Sequence, residues 1–153
     1  MRLSSKFLAT LMLSVAIISG CSEVSTKDMT TRLNDNLLSM YNLLRWNNFQ
    51  QISLMQTDKY KNIRLDYSFL KTIKVNQVHK TAMQLSEDNT HADVFYDLEF
   101  YVTDTNTTHA IVYHQEWITE EENKRTWKLN SPLPDFKKII KTKREPKIKV
   151  IEY

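Results

Sequence analysis

Residues 93–102 read Asp93-Val94-Phe95-Tyr96-Asp97-Leu98-Glu99-Phe100-Tyr101-Val102 and alternate without a break. Val94, Tyr96, Leu98, Phe100 and Val102 fall on one side, and Asp93, Phe95, Asp97, Glu99 and Tyr101 on the other. A period of two sustained over a whole segment marks a β-strand with one face in a core and the other in water. Half-buried strands of this kind pair antiparallel, because a parallel strand is covered on both faces and reads as continuously apolar.

The same alternation, less regular, brackets that segment. From about Leu70 the period changes to two: Ile73, Val75 and Gln77 alternate with Lys74, Asn76 and Val78, and the run extends to Leu85 before Ser86 to Thr90 turn it. Downstream, Asp104 to Thr108 make a turn and Ala110 to Thr119 a third strand. Glu120 to Lys124 turn again, and Thr126 to Leu129 open a fourth. Pro132 and Pro134 cannot donate to a ladder and close the meander.

Ahead of the strands the period is helical. Leu33, Leu37, Tyr41 and Leu44, with Met40 beside them, recur at three- and four-residue spacing in a polar segment, the pattern of an amphipathic helix. Ser25 with Asp28 three places on matches a capping box that would begin it. A shorter helix is expected through Phe49, Ile52, Leu54 and Met55, ending at the polar break Gln56 to Lys61. Helices first and a run of strands after predict an α+β fold: N-terminal helices packed on one face of a curved antiparallel four-stranded meander. Trp46 and Trp127 are expected to be packing residues.

The first 21 residues have a different character. Arg2 and Lys6 precede an apolar stretch from Phe7 to Ile18, and Ile18-Ser19-Gly20-Cys21 closes it. Basic, apolar, then small is the layout of an export signal. The run is too short to span a bilayer, which takes about 20 residues. The last four residues resemble the lipobox of bacterial lipoproteins, which implies that Cys21 is acylated and becomes the new N-terminus with three acyl chains. Stable anchoring takes about two chains, so three would hold the protein on a membrane. Ser22, where aspartate would retain a lipoprotein at the inner membrane, implies sorting to the outer membrane, facing the periplasm. The organisation expected is a signal peptide at 1–20, a polar lipidated tether at 21–29, the folded domain at 30–136 and a basic C-terminal extension at 137–153.

Two helices followed by a curved meander are similar to the cone-shaped fold of the nuclear transport factor and ketosteroid isomerase superfamily. More narrowly, Tyr41-Asn42-Leu43-Leu44-Arg45-Trp46 with Phe49, then Gln115-Glu116-Trp117, Trp127-Lys128-Leu129 and Leu133-Pro134-Asp135-Phe136, resemble a group of small, uncharacterised lipoproteins of gammaproteobacteria. The resemblance covers residues 41 to 136 and implies fold and location, not activity.

Composition narrows the rest. The chain has one glycine, Gly20, and one cysteine, Cys21. The mature chain therefore has no Walker loop, dinucleotide fingerprint or nucleophile elbow, each of which needs glycine beside a ligand or nucleophile. It has no thiol left for disulfides or metal, and tight turns fall to Asn and Asp. Residues 136–153 carry seven Lys and Arg against two Glu.

Tyr113, Gln115 and Trp117 share one face of the third strand and, lining the mouth of a cavity with Tyr96, are the candidate ligand-binding residues, with a filled core as the plainer alternative. Asp97 and Glu99 would be general-base candidates if the cone enclosed one of them, since enzymes of that superfamily use a buried carboxylate. Their position opposite the better apolar face puts them in solvent. His109 and His114 stand five apart, on opposite strand faces, so no metal site is expected, and no cofactor. The readings in view are a non-catalytic lipoprotein, membrane-attached at Cys21, that binds an envelope protein or a small apolar ligand; an isomerase- or cyclase-like enzyme; and a structural subunit of an envelope assembly. Nucleic acid is not an expected partner; the basic end, 137–153, would instead contact anionic lipid.

Overall fold

A computed structural model describes residues 20–120 and 126–144, with side chains between 28 and 142. The elements in chain order are α1 (Gly20–Arg45), α2 (Phe49–Met55), α3 (Asp58–Lys61), α4 (Tyr67–Leu70), β1 (Ile73–Leu85), β2 (His91–Val102), β3 (Thr107–Thr119), β4 (Trp127–Leu129) and α5 (Phe136–Arg144). The strands form one antiparallel sheet in the order β1-β2-β3-β4, so the α+β meander expected from the alternation is the observed fold.

Strand β2 sits between β1 and β3, and its alternation is realised residue by residue. Ala92, Val94, Tyr96, Leu98, Phe100 and Val102 are buried, whereas Asp97 is exposed and Asp93, Phe95, Glu99 and Tyr101 are half-exposed. The register sets Leu98 between Val78 and Ile111, and Phe100 between Val75 and His109, so the inner face is apolar across three strands. Two bulges in β1, between Val75 and Gln77 and between Lys80 and Ala82, bend the edge strand.

Helix α1 covers that face with Met29, Leu33, Leu37, Met40 and Leu44, and α2 adds Phe49 and Ile52. Met40 rather than Tyr41 takes the fully buried place; Tyr41 and Leu54 stay substantially exposed. Two short helices escaped the periodicity, since a single turn is too short to show a repeat. One of them, α4, begins where the Asp66 carboxylate accepts the Phe69 N–H at 3.1 Å.

Three expectations are corrected. Helix α1 is already formed at Gly20, the first described residue, so the stretch read as a tether at 21–29 is helical and Ser25 lies inside the helix rather than at its cap. Nothing in 22–28 is proline or glycine, and a polar segment without breakers can extend a helix already fixed by Met29 and Leu33. Secondly, the basic extension 137–153 is not separate from the domain. Helix α5 runs from Phe136, the last residue of the expected domain, into the extension, and Ile140 enters the core four residues after Phe136. Phe136 meets Phe49 edge-on at 5.5 Å between ring centroids and Phe100 at 4.9 Å. Residues 145–153 lie outside the described residues. Thirdly, Trp127 packs as expected, donating from Nε1 to the Met29 carbonyl at 3.0 Å, but Trp46 is 81% exposed.

Turns without glycine rely on Asn. Asn47, Asn89 and Asn106 adopt φ of 56°, 55° and 49°, the left-handed region Asn tolerates best after glycine. Asn47 has a second task, since its Oδ1 accepts the N–H of buried Val75 at 2.9 Å, the only contact tying the end of α1 to the edge of β1 in this way among the described residues.

Two outcomes follow for stability. Phe136→Ala should cost about 3–5 kcal/mol in urea unfolding, the range for truncating a buried aromatic; a loss within about 0.5 kcal/mol would show the segment to be peripheral. Asn47→Gly, though easier at positive φ, should lose about 1 kcal/mol because the Val75 donor is left unsatisfied. Asn106→Gly, with no such bond, should be close to neutral.

Candidate functional site

The four candidate ligand residues come together, but inside the core. Tyr96 and Tyr113 are cross-strand neighbours, and Gln115 and Trp117 follow on the same side of β3. All four are at most 5% exposed. Trp117 donates from Nε1 to the Gln115 side-chain oxygen at 3.0 Å, and the Tyr113 hydroxyl donates to the Pro132 carbonyl at 3.2 Å. The Gln115 Nε2 is buried without a hydrogen-bond partner within the structure. Burial pushes the Tyr96 phenol up to about 12 and the Tyr113 phenol higher still, the Ser131 and Gln115 side chains offsetting the latter only in part. Both tyrosines are therefore neutral donors, unsuited to act as bases.

Of the four, Tyr96 also meets a depression in the surface. It floors a shallow groove between α1 and the bulged half of β1, where Leu38 and Tyr41 stand exposed on the rim and Leu37 and Val78 form the walls.

Asp97 and Glu99 lie on the other face of the sheet, in an open depression with Gln77, His79 and Val112. Glu99 accepts from the Asn76 amide at 2.7 Å. Neither carboxylate enters the core, as their side of the strand implied.

That outer face holds a cluster the linear sequence does not show. Asp93 and Glu116 are cross-strand partners, and so are Phe95 and His114. The two Asp93 oxygens meet different imidazoles, Oδ2 the His91 Nε2 at 3.2 Å and Oδ1 the His114 Nε2. His91 reaches Glu116 with its other nitrogen at 3.8 Å, Asn130 donates to Glu116 at 2.7 Å, and His114 stacks on Phe95 with ring centroids 4.6 Å apart. The His114 hydrogen bond, with the His91 contact behind it, lowers the Asp93 pKa against the opposing effect of burial. His91 and Asp93 stand two apart on one strand, a spacing legible in the sequence; that His114 lies beside them required the β2–β3 register. His109, by contrast, is on the inner face stacked on Phe100 at 5.2 Å, so the two histidines do diverge. Among the described residues no group of three His, Cys, Asp or Glu side chains is placed to hold a metal ion.

Cys21 is the second residue of α1. No helix of the described residues is long and apolar enough to cross a membrane, and the apolar run 7–18 lies outside them. No protein-family model, curated protein or solved structure matches the chain.

Because the Asp93 pKa is lowered on folding, its contribution to stability is present above the ordinary Asp range near 4 and disappears as pH falls through the folded value. Asp93→Asn should therefore lower Tm at pH 7 by an amount worth under about 1 kcal/mol, the scale of a screened surface pair. Wild type and variant should converge as pH falls below the ordinary Asp range and on through the folded value; a gap that stays constant with pH would mean that ionisation of Asp93 is not what stabilises the fold.

Proposed function

We propose that the chain is a non-catalytic lipoprotein of the bacterial envelope, anchored through acylated Cys21 to the outer membrane and facing the periplasm, where it binds a partner protein or a small apolar ligand. The observation that carries this reading is Ile18-Ser19-Gly20-Cys21 at the end of a basic-then-apolar leader, with the chain's only cysteine at the position a lipobox requires.

Two features favour binding over catalysis. The phenols inside the core are held neutral, and Asp97 and Glu99 lie in an open depression on the outer face of the sheet rather than in an enclosed pocket where a general base would work. The groove over Tyr96 mixes the apolar Leu37, Leu38, Tyr41 and Val78 with the polar Asn34, His79 and Lys80, and is where a small ligand or a partner's side chain would enter.

Mass spectrometry of the mature N-terminus tests the anchor. The wild-type protein should carry a diacylglyceryl group and an N-acyl chain on Cys21 and begin there, while Cys21→Ser should accumulate as an unprocessed precursor without lipid. A wild-type protein cleaved elsewhere and free of acyl groups would remove the proposal.

A further inference from the structure

The two ends of α1 differ in chemistry. At the Gly20 end, Trp127 bonds to Met29, Thr119 pairs with Trp127, and the Thr119 N–H donates to the Thr90 carbonyl, so the β1–β2 turn and the start of β4 gather there. The carboxylates Glu87, Asp88, Asp93, Glu116 and Glu120 lie at that end or one row in, offset in part by Lys128 beside Glu120 and Lys59 near Glu116. At the Arg45 end, Asn47 bonds to Val75, α4 follows, and Phe136 brings the start of α5 against Phe49 and Phe100.

Cations dominate this second end. Arg64 and Lys137 line one groove and Lys71 the adjoining one, with Lys138 and Lys141 exposed on α5. Of the carboxylates there, Asp66 is bound to Lys137, Asp135 accepts the Lys138 N–H at 3.0 Å, and Asp104 stands in the β2–β3 turn. The exposed apolar side chains among them are Trp46 at 81%, Ile63 at 49% and Tyr67 at 41%. Exposed Trp and Tyr interspersed with Lys and Arg are the composition of a surface that rests at the headgroup level of a bilayer, with rings among the headgroups and cations on the phosphates.

We infer that the Arg45 end of the domain is a contact surface for anionic phospholipid, and that it engages a bilayer surface other than the one the anchor enters, α1 holding the two about 39 Å apart. The second half rests on the lipoprotein reading; the first does not. Charge complementarity favours lipid phosphate at this end, and the carboxylates at the other keep the domain from lying flat on the anchoring leaflet.

The test uses the chain produced from residue 21 onward, without the leader and carrying Cys21→Ser, for binding, and acylated wild type for bridging. In flotation, the unacylated protein should bind vesicles of phosphatidylcholine with phosphatidylglycerol, fail to bind phosphatidylcholine alone, and be released by high salt. Binding should blue-shift the emission of Trp46, since Trp117 and Trp127 are already buried. Lys71→Glu, Lys138→Glu and Lys141→Glu together should weaken it by more than tenfold, each lysine counting for roughly fivefold; Trp46→Ala should abolish the shift. These residues are exposed, so the far-ultraviolet spectrum should not change. No binding, or full binding by the triple variant, overturns the surface. Acylated protein in phosphatidylcholine vesicles should cluster added anionic vesicles; anionic binding without clustering overturns the second-bilayer placement. Binding by a native protein found free of acyl groups leaves the surface standing and removes the lipoprotein reading alone.

Discussion

Strand β2 is hydrogen-bonded along both edges and buries every second side chain, and the rest of the architecture depends on that one-sided burial. Its register admits no slip. Moving β2 by one residue would place Asp97 and Glu99 beneath α1 and expose Leu98 and Phe100, burying two unpaired carboxylates at several kcal/mol each. The same constraint selects the cover. Only a helix with a continuous apolar stripe fits the row Val94, Tyr96, Leu98 and Phe100, and Leu33, Leu37, Met40 and Leu44 supply it. Phe136 then closes the far end of the core by meeting a ring from the sheet and a ring from α2 at once.

A chain without glycine in its folded part has to turn by other means. Three Asn residues at positive φ do so, one at the end of α1 and one in each of the first two hairpins. The β1–β2 turn is further fixed by Asp88, whose carboxylate accepts from the Ser86 and Thr90 hydroxyls at 2.6 and 2.7 Å and is held at a pKa of about 2 by those bonds. In that turn the Asn89 amide also donates to the Glu87 carbonyl at 3.4 Å, so the side chain that permits the conformation bonds within it. The cost is that Asn47 is locally strained and depends on its bond to Val75.

What could be read in advance was whatever a single element's period encodes. The four strands, their order of appearance and the buried faces of α1 and β2 are local patterns, and Leu33, Val94 and Phe100 fall where alternation or helical spacing puts them. What could not be read depends on elements meeting. Trp46 and Trp127 look equivalent as isolated aromatics, yet one finds the Met29 carbonyl and the other finds only solvent. Ile140 was obscured because composition marks the region after Phe136 as basic, while burial follows the four-residue spacing from Phe136 beneath it. The His91–Asp93–His114 cluster needed the β2–β3 register, since His114 is remote in sequence from the other two. Tyr113, Gln115 and Trp117 were placed on the right face, and it took the packing of α1 and the Pro132 segment to show that this face is filled.

A filled interior moves function outward. If the core beneath Tyr96 held a ligand, substitution of Tyr113, Gln115 or Trp117 would alter binding, but each is also bound to its neighbours through the core, so stability and binding would fall together and neither could be assigned. The surface separates them. Leu38, Tyr41, Trp46 and Tyr67 contribute little to the core and leave substantial apolar area in water. That area is a liability for solubility unless something covers it. Because these residues lie on the flank and at the Arg45 end of α1, any occupant approaches the side or the far end of that helix, away from Cys21.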